Sequence, residues 1–505
     1  MPRNQMLGFH RVNTRMYDLT GLRTGSVRDQ FVRAISLIEG LFDDVKELSI
    51  AKPDIGVLIL GAGVSGVACA MVAAQRGIAV TVIEKKPKEF TTLTDARFRR
   101  VAPYEYDWPR PAPQSLKMTF RSNFPLTFES KSAADLAIEW QTKLDQFVKT
   151  NSNLKILNGL NARNFNFVPT NGWVEAFGPW IKNQPSSTKT FGAVIACTGF
   201  MRERTWVRQK SGNYALVQFG TTRSIPLRSY KGYRFWLDSD SLDDRNFGIS
   251  PFGPSVNSIL ISGGGDGAMQ DLQRAATGLF GEKLYDRLNK YLCGECVTDR
   301  HLLEIVSAED RARRACAWKM SNPNDASPDS EMQLWDDAFK KVVNEIIGSH
   351  IENYRIRHGL SRHVARERAL KYLAENLLRQ DFGYQDQPKI TWVTKERHLG
   401  FAYALNRFLS LLLIEVMGGG FAEPHLELRL NSKITRIVRD DPAVDCCHYP
   451  DKCHGRTHHV ELNKSGSLAP FQIIIIRHGL IFPKNPYLGA KAPVPEQLVP
   501  YEVPY

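Results

Sequence analysis

The chain has 505 residues, 43% of them hydrophobic and 24% charged, which is apolar material for roughly three ordinary domains. Its 66 Lys and Arg against 53 Asp and Glu leave a formal net charge of +13, yet acidic residues interleave throughout and the densest basic runs, Arg97–Arg100 and Arg311–Arg314, are short. This composition excludes a disordered, collagen-like or small disulfide-rich chain and argues against nucleic acid as a partner.

No run of about 18 apolar residues is present to span a membrane. The N-terminus lacks the apolar stretch of a signal peptide, and eight cysteines in a chain of this length do not make a secreted disulfide framework. The expectation is a cytoplasmic protein that acts on a small molecule, with its oligomeric state open.

Residues 1–25 read as polar and irregular. Val27, Phe31, Ala34, Ile35, Ile38, Phe42 and Val45 then recur at helical spacing, behind a capping-box-like Ser26 and Asp29. Pro53 ends this arm. Ile55–Leu60 reads as an apolar strand, followed by a glycine turn, a small-residue helix to Arg76 and a second strand over Ala79–Ile83, the opening of a βαβ unit. Residues 86–130 read as a long connection, in which Tyr106, Asp107 and Trp108 face either a ligand or a packed loop core. A helix is predicted from about Ser132 to Val148, then short strands with an Asn171-Gly172 hairpin turn, then Phe191–Ala196 running into Cys197-Thr198-Gly199.

The second half repeats this grammar. Ser258–Ile261 enters Gly263-Gly264-Gly265-Asp266-Gly267-Ala268, Lys433–Arg439 and His458–Leu462 look paired, and Ile473–Ile476 closes on Arg477-His478-Gly479. Residues of about 280–417 read as almost wholly helical; Leu334, Ala338, Phe339, Val342, Val343, Ile346 and Ile347 form one stripe. The fold class is α/β, a Rossmann-like dinucleotide-binding fold in two halves. The divisions are a helical arm over 1–52, a first dinucleotide fold over 53–235, a second over 236–280 and 425–485, a helical insertion over 281–424 and a tail over 486–505.

The strongest motif is Gly61-Ala62-Gly63-Val64-Ser65-Gly66, directly after a strand and before a helix. The first glycine permits a tight turn, the second lets a pyrophosphate approach the backbone, and the third lets helix and strand pack closely. The helix then directs its free N–H groups at the phosphates. Glu84, followed by Lys85, closes the second strand; a carboxylate there accepts hydrogen bonds from ribose hydroxyls and repels a 2′-phosphate, which points to FAD or NAD.

These residues resemble the two-dinucleotide-binding flavoproteins, the superfamily of pyridine nucleotide–disulfide oxidoreductases and flavin-containing monooxygenases. Val57–Gly66 with Glu84 is similar to its first fingerprint. Val194–Gly199 looks like its later Ala-Thr-Gly segment with Cys197 inserted, which brings in Thr198 and Gly199. Ile259–Ala268 is similar to its second fingerprint, with Gly263, Gly265 and Ala268 in register. The resemblance implies FAD at the first motif and NAD(P)H at the second, passing hydride to the flavin, and a second electron acceptor that the sequence does not name. No residue is assigned a catalytic role.

Two features run against a complete redox enzyme. The strand expected about 20 residues after Ala268, with its ribose-reading end, is replaced by helical sequence, and no late Gly-Asp segment follows Gly479. Asp266 would also repel phosphate if it pointed into its turn. Nicotinamide binding is accordingly expected to be modest, with little preference between NADH and NADPH. The alternative function is a non-redox dinucleotide-binding sensor or interaction module that presents the helical insertion to a protein.

Cys293-Gly294-Glu295-Cys296 reads as either a redox pair or two structural cysteines. Cys446, Cys447, His448, Cys453, His454, His458 and His459 crowd into fourteen residues; Cys447, Cys453 and His458 have workable spacing for a structural zinc, and a polar hairpin excursion is the other reading. No metal ligand is assigned. His10, His350, His358, His363, His398 and His425 read as surface or satisfied core residues.

Overall fold

Two parallel sheets organise the chain, and their strand orders match. The computed structural model describes residues 7, 10–19, 27–47, 56–94, 96, 99–102, 105, 108–109, 118–119, 124–128, 130–199, 206–208, 214–216, 230–231, 258–292, 297–309, 328–380, 384–399, 402–419, 421, 423–439, 458–463, 466–471 and 473–478. The elements used below are β1 (Arg11–Asn13), β2 (Met16–Asp18), α1 (Val27–Glu47), β3 (Val57–Leu60), α2 (Val64–Gln75), β4 (Val80–Glu84), α3 (Ala133–Thr150), β5 (Leu154–Asn158), β6 (Asn166–Pro169), β7 (Val174–Gly178), β8 (Ser187–Phe191) and β9 (Ala193–Ala196). The second half adds β10 (Tyr230–Lys231), β11 (Ser258–Ser262), α4 (Asp266–Thr277), α5 (Gly281–Tyr291), α6 (Pro328–His358), α7 (Arg362–Leu377), β12 (Lys389–Val393), α8 (Ala404–Gly419), β13 (Leu426–Arg429), β14 (Ile434–Arg439), β15 (His458–Leu462), β16 (Gly466–Phe471) and β17 (Ile473–Ile476).

The first sheet runs β1-β2-β9-β3-β4-β5, parallel throughout except for β1, which turns back on β2. The second runs β10-β17-β11-β12-β13, all parallel. In both, the strand before the glycine turn is central, with the next two strands on one side and the last strand on the other. Each chain entry into the sheet comes from upstream: β2 beside β9, and β10 beside β17. These are two Rossmann-type units.

Each unit has three layers because its central strands are apolar on both faces. Val57 and Ile59 face the helices with Val67, Met71 and Trp140. Leu58 and Leu60 face the antiparallel sheet β6-β7-β8 through Phe165, Phe167 and Trp180. Likewise Ile259 and Ile261 face the helical side, and Leu260 faces β14-β15-β16 with Ile434, Val460 and Phe471. The period-two alternation of one buried strand thus serves two cores at once.

Three expectations are corrected. The N-terminal region is not irregular throughout, since β1 and β2 extend the first sheet. The stretch read as almost wholly helical contains β12, which supplies the strand thought to be missing: Ser258–Ser262 pairs with Lys389–Val393 residue for residue. Its delay comes from α5, a helix over 299–309, α6 and α7, which intervene between α4 and β12. Within α6 the apolar stripe turns slightly, so Leu334 is exposed while Trp335 joins Phe339, Val342, Val343, Ile346 and Ile347 in the core.

The units meet through buried polar contacts. The Asp271 carboxylate on α4 accepts from Arg274 Nη1 (2.8 Å), from Arg477 Nε after β17 (2.6 Å) and from Arg99 Nη1 in the first half (3.3 Å). All four side chains are at most 3% exposed. Trp108 packs against Tyr285 and Phe408 at 5.6 and 5.0 Å, the packed-core outcome for that loop residue; Tyr106 and Asp107 lie outside the described residues.

Candidate functional site

The first glycine turn leaves β3 at the carboxyl edge of its sheet, where open parallel sheets take their ligands. Gly61 has φ +103°, and a Cβ there would stand 2.5 Å from the Cys197 carbonyl oxygen. Gly61 N–H donates to the Ile83 carbonyl at 2.8 Å, which pins the turn to β4. A Cβ on Gly66 would lie 1.9 Å from the Gly61 carbonyl oxygen, so α2 reaches the strand only because that side chain is absent. A Cβ on Gly63, in contrast, would meet nothing within 4 Å. Gly63 is also the N-cap of α2, with no side chain capping the helix and no acidic residue in its first turn. Two glycines are demanded by the fold, and the third keeps a helix N-terminus bare. That cradle fits a pyrophosphate.

The other predicted residues arrange themselves around this turn. Glu84 Oε2 accepts from Ala62 N–H at 2.6 Å and Oε1 from Lys86 N–H at 2.7 Å, so the carboxylate braces the turn from the end of β4. Lys85, Thr198 and Gly199 are exposed, and Gly199 has φ +79°. Val64 is half-buried in the first turn of α2. Ser65 faces inward: its hydroxyl donates to Gln30 Oε1 on α1 at 2.5 Å. Cys197 is buried beside the turn, and burial with a neighbouring Cys69 holds its thiol well above the usual range. The sheet edge beside β9 ends at Asp18, which pairs opposite Ala196 and is 1% exposed; residues after Gly479 lie outside the described set.

The second turn repeats the first in detail. Gly263 N–H donates to the Val393 carbonyl at 2.9 Å, and a Cβ on Gly263 (φ +146°) would lie 2.2 Å from the Arg477 carbonyl oxygen. Trp392 Nε1 donates to the Gly263 carbonyl at 2.7 Å. Gly265 is the N-cap of α4, again without a side-chain cap, and Ala268 is fully buried. Asp266 Oδ1 accepts from Tyr403 N–H and Asn406 Nδ2, each at 2.8 Å, so this oxygen serves the start of α8. His478 occupies the place of Thr198, with Nε2 2.7 Å from Ser262 Oγ.

Close by, Glu105 is buried against α4 and the start of α5. Burial, with Asp266 and Glu282 nearby, pushes its carboxyl up to about 8, and Gln270 Nε2 donates to it at 3.2 Å. Motif reading gave no signal for this residue. Burial also depresses His10 and His350 to about 4, consistent with core positions.

The Cys293–Cys296 pair lies outside the described residues, as does the 446–457 stretch; the backbone of His458 and His459 forms part of β15. Among the described residues no cluster of three His, Cys, Asp or Glu side chains is placed to hold a metal ion. Among them, too, no helix is long and apolar enough to cross a membrane.

The two turns, each at the carboxyl edge of its own parallel sheet, define a protein with paired dinucleotide-type folds. No protein-family model matches the chain, and no curated protein matches it. Among solved structures it is similar to a thioredoxin reductase from Lactococcus lactis, at 12% identity over 86% of this chain and 80% of that one, with a TM-score of 0.35. It is similar to a bacillithiol disulfide reductase from Staphylococcus aureus, at 10% identity over 86% and 79% of the two chains, with a TM-score of 0.33. It is also similar to an ornithine N-hydroxylase from Kutzneria sp. 744 in complex with reduced FAD, NADP+ and L-ornithine, at 10% identity over 86% and 83%, with a TM-score of 0.35.

Proposed function

We propose that this chain is an FAD-dependent oxidoreductase that takes its electrons from NAD(P)H. The observation that carries this reading is the division of labour among Gly61, Gly63 and Gly66, in which only Gly63 has open space in front of it. In this reading Gly61–Gly66 hold the FAD pyrophosphate through the bare N-terminus of α2. Ala62 and Val64 belong to that loop, and Ser65 anchors it to α1. Glu84 and Lys85 meet the adenosine ribose, and Thr198 and Gly199 border the ligand at the end of β9. Gly263, Gly265 and Ala268 form the corresponding seat for the pyridine nucleotide.

Bound FAD would supply the hydride and electron transfer. The chain's residues hold and orient: two uncapped helix N-termini offer N–H groups to phosphates, and a glutamate offers a carboxylate to ribose hydroxyls. The acceptor is a small molecule on this reading, and the protein works in the cytoplasm.

The visible spectrum of the purified full-length protein tests the proposal. Absorbance near 450 nm that bleaches anaerobically on adding NADH or NADPH is the expected result. A colourless protein that takes up no FAD would refute it and favour the non-redox module.

A further inference from the structure

We infer that the second glycine turn selects a dinucleotide whose adenosine carries a 2′-phosphate, and that Thr394 is the residue that permits it. The inference rests on the reading of that turn as the pyridine-nucleotide seat.

The two units supply their own comparison. Leu60 pairs with Ile83 as Ser262 pairs with Val393. Gly61 N–H reaches the Ile83 carbonyl at 2.8 Å, and Gly263 N–H reaches the Val393 carbonyl at 2.9 Å. The residues that follow Ile83 and Val393 therefore stand in the same place: Glu84, the last of β4, in the first unit and Thr394, just past β12, in the second. The correspondence extends to individual bonds. Glu84 Oε1 accepts from the N–H two residues on, at Lys86, and Thr394 Oγ1 accepts from the N–H two residues on, at Glu396, at 3.2 Å. Glu84 Oε2 reaches the second residue of its turn, Ala62. Thr394 Oγ1 sits against the second residue of the other turn, 2.6 Å from where a Cβ on Gly264 would be.

Thr394 thus keeps the loop bond of Glu84 with a single neutral oxygen and packs against the turn. What it does not carry is the charge. A carboxylate at this position accepts from a ribose diol and repels a phosphate dianion; a buried neutral hydroxyl has no charge to repel one. Both following loops contain cations, Lys85, Lys86 and Lys88 in the first, Lys395 and Arg397 in the second. The second loop also carries Glu396, whose Cγ lies 3.3 Å from where a Cβ on Gly264 would be, so the neutral strand-end residue acts together with the Lys395 ammonium set against that carboxylate. Lys395 is 70% exposed, and Lys395 Nζ lies 3.3 Å from the Glu396 carboxylate, which it partly neutralises.

The loop is also pre-shaped. Thr394 N–H donates to the Arg429 carbonyl at 3.0 Å, Ser432 N–H to the Thr394 carbonyl at 2.8 Å and Asn431 N–H to the Glu396 carbonyl at 2.8 Å. Little ordering remains to be done when a phosphate arrives, which favours binding.

The test is calorimetric titration of the full chain with adenosine 2′,5′-bisphosphate and with ADP, in excess FAD so that the first turn is filled. The bisphosphate is expected to bind at least tenfold more tightly than ADP. Thr394→Glu should reverse that order, and Lys395→Ala, at an exposed site that leaves the fold intact, should weaken the bisphosphate severalfold while leaving ADP unchanged. Equal affinities for the two ligands, or a ratio unmoved by both variants, would overturn the inference while leaving the seat itself in place. So would an ADP preference that disappears in Glu396→Gln, because it would put the ribose diol on Glu396. Binding of neither ligand would remove the seat and the inference together.

Discussion

Single atoms decide what each glycine of the first turn is for, and this gives a sharp contrast between two substitutions. Gly66→Ala drives a methyl group to within 1.9 Å of the Gly61 carbonyl oxygen, and backbone on both sides has to move. Soluble yield and thermal stability should fall together. Gly63→Val enters open space from an extended backbone conformation, so it should cost only about 1 kcal/mol at the N-cap while excluding the pyrophosphate. Flavin content, read as the absorbance ratio at 450 and 280 nm, should drop at least tenfold in a protein that still unfolds cooperatively. Equal flavin retention in Gly63→Val and wild type would end the assignment of this turn. The constraint at Gly66 was legible in the sequence because it acts within the turn itself, whereas the carbonyl that excludes a side chain at Gly61 comes from Cys197, just past a distant strand. Thr394 was not legible either, because its role exists only relative to a turn more than a hundred residues earlier.

At the level of elements, the N-terminal helix is part of a core rather than an arm laid on one. Phe31 is fully buried on α1, edge-on to Phe124 at 5.7 Å and to Trp140 at 5.0 Å. Ser65–Gln30 and the Arg76–Glu39 ion pair fasten α1 to both ends of α2. Phe31→Ala should therefore cost about 3–5 kcal/mol in denaturant unfolding of the full chain. A loosely attached arm would lose about 0.5 kcal/mol or less. The helical periodicity that places Phe31 inward is local and was readable. The pairing of β2 with β9 was not, since three residues of Met-Tyr-Asp carry no signal of a partner found near residue 195. Ile390-Thr391-Trp392-Val393 did carry one, a β-branched and aromatic run, but its length is short and long helices stand on either side.

For the whole molecule, the Asp271 carboxylate gathers three arginines at the joint between the units. Arg99, Arg274 and Arg477 converge on Asp271 out of water, and removing it would leave three buried guanidinium groups without the charge that gathers them. Asp271→Ala should destabilise the protein by about 3–5 kcal/mol, the usual penalty for taking one member out of a buried ion cluster. Denaturant unfolding followed by fluorescence measures it. A loss under about 1 kcal/mol would mean that the arginines are satisfied elsewhere and that the joint is apolar, resting on Trp108, Tyr285 and Phe408.

The wide separation of β11 from its neighbours also has a consequence during synthesis. Ile259-Leu260-Ile261 leaves the ribosome well before β12 and roughly two hundred residues before β17, the strands that cover its two edges. At ~5–20 residues per second, the nascent chain carries an unsheathed apolar strand for roughly 10–40 s. The intervening helices can form from local contacts during that interval, so they shelter the strand before its partners exist. The stretch that lengthens the gap in sequence thus also covers the strand during the delay.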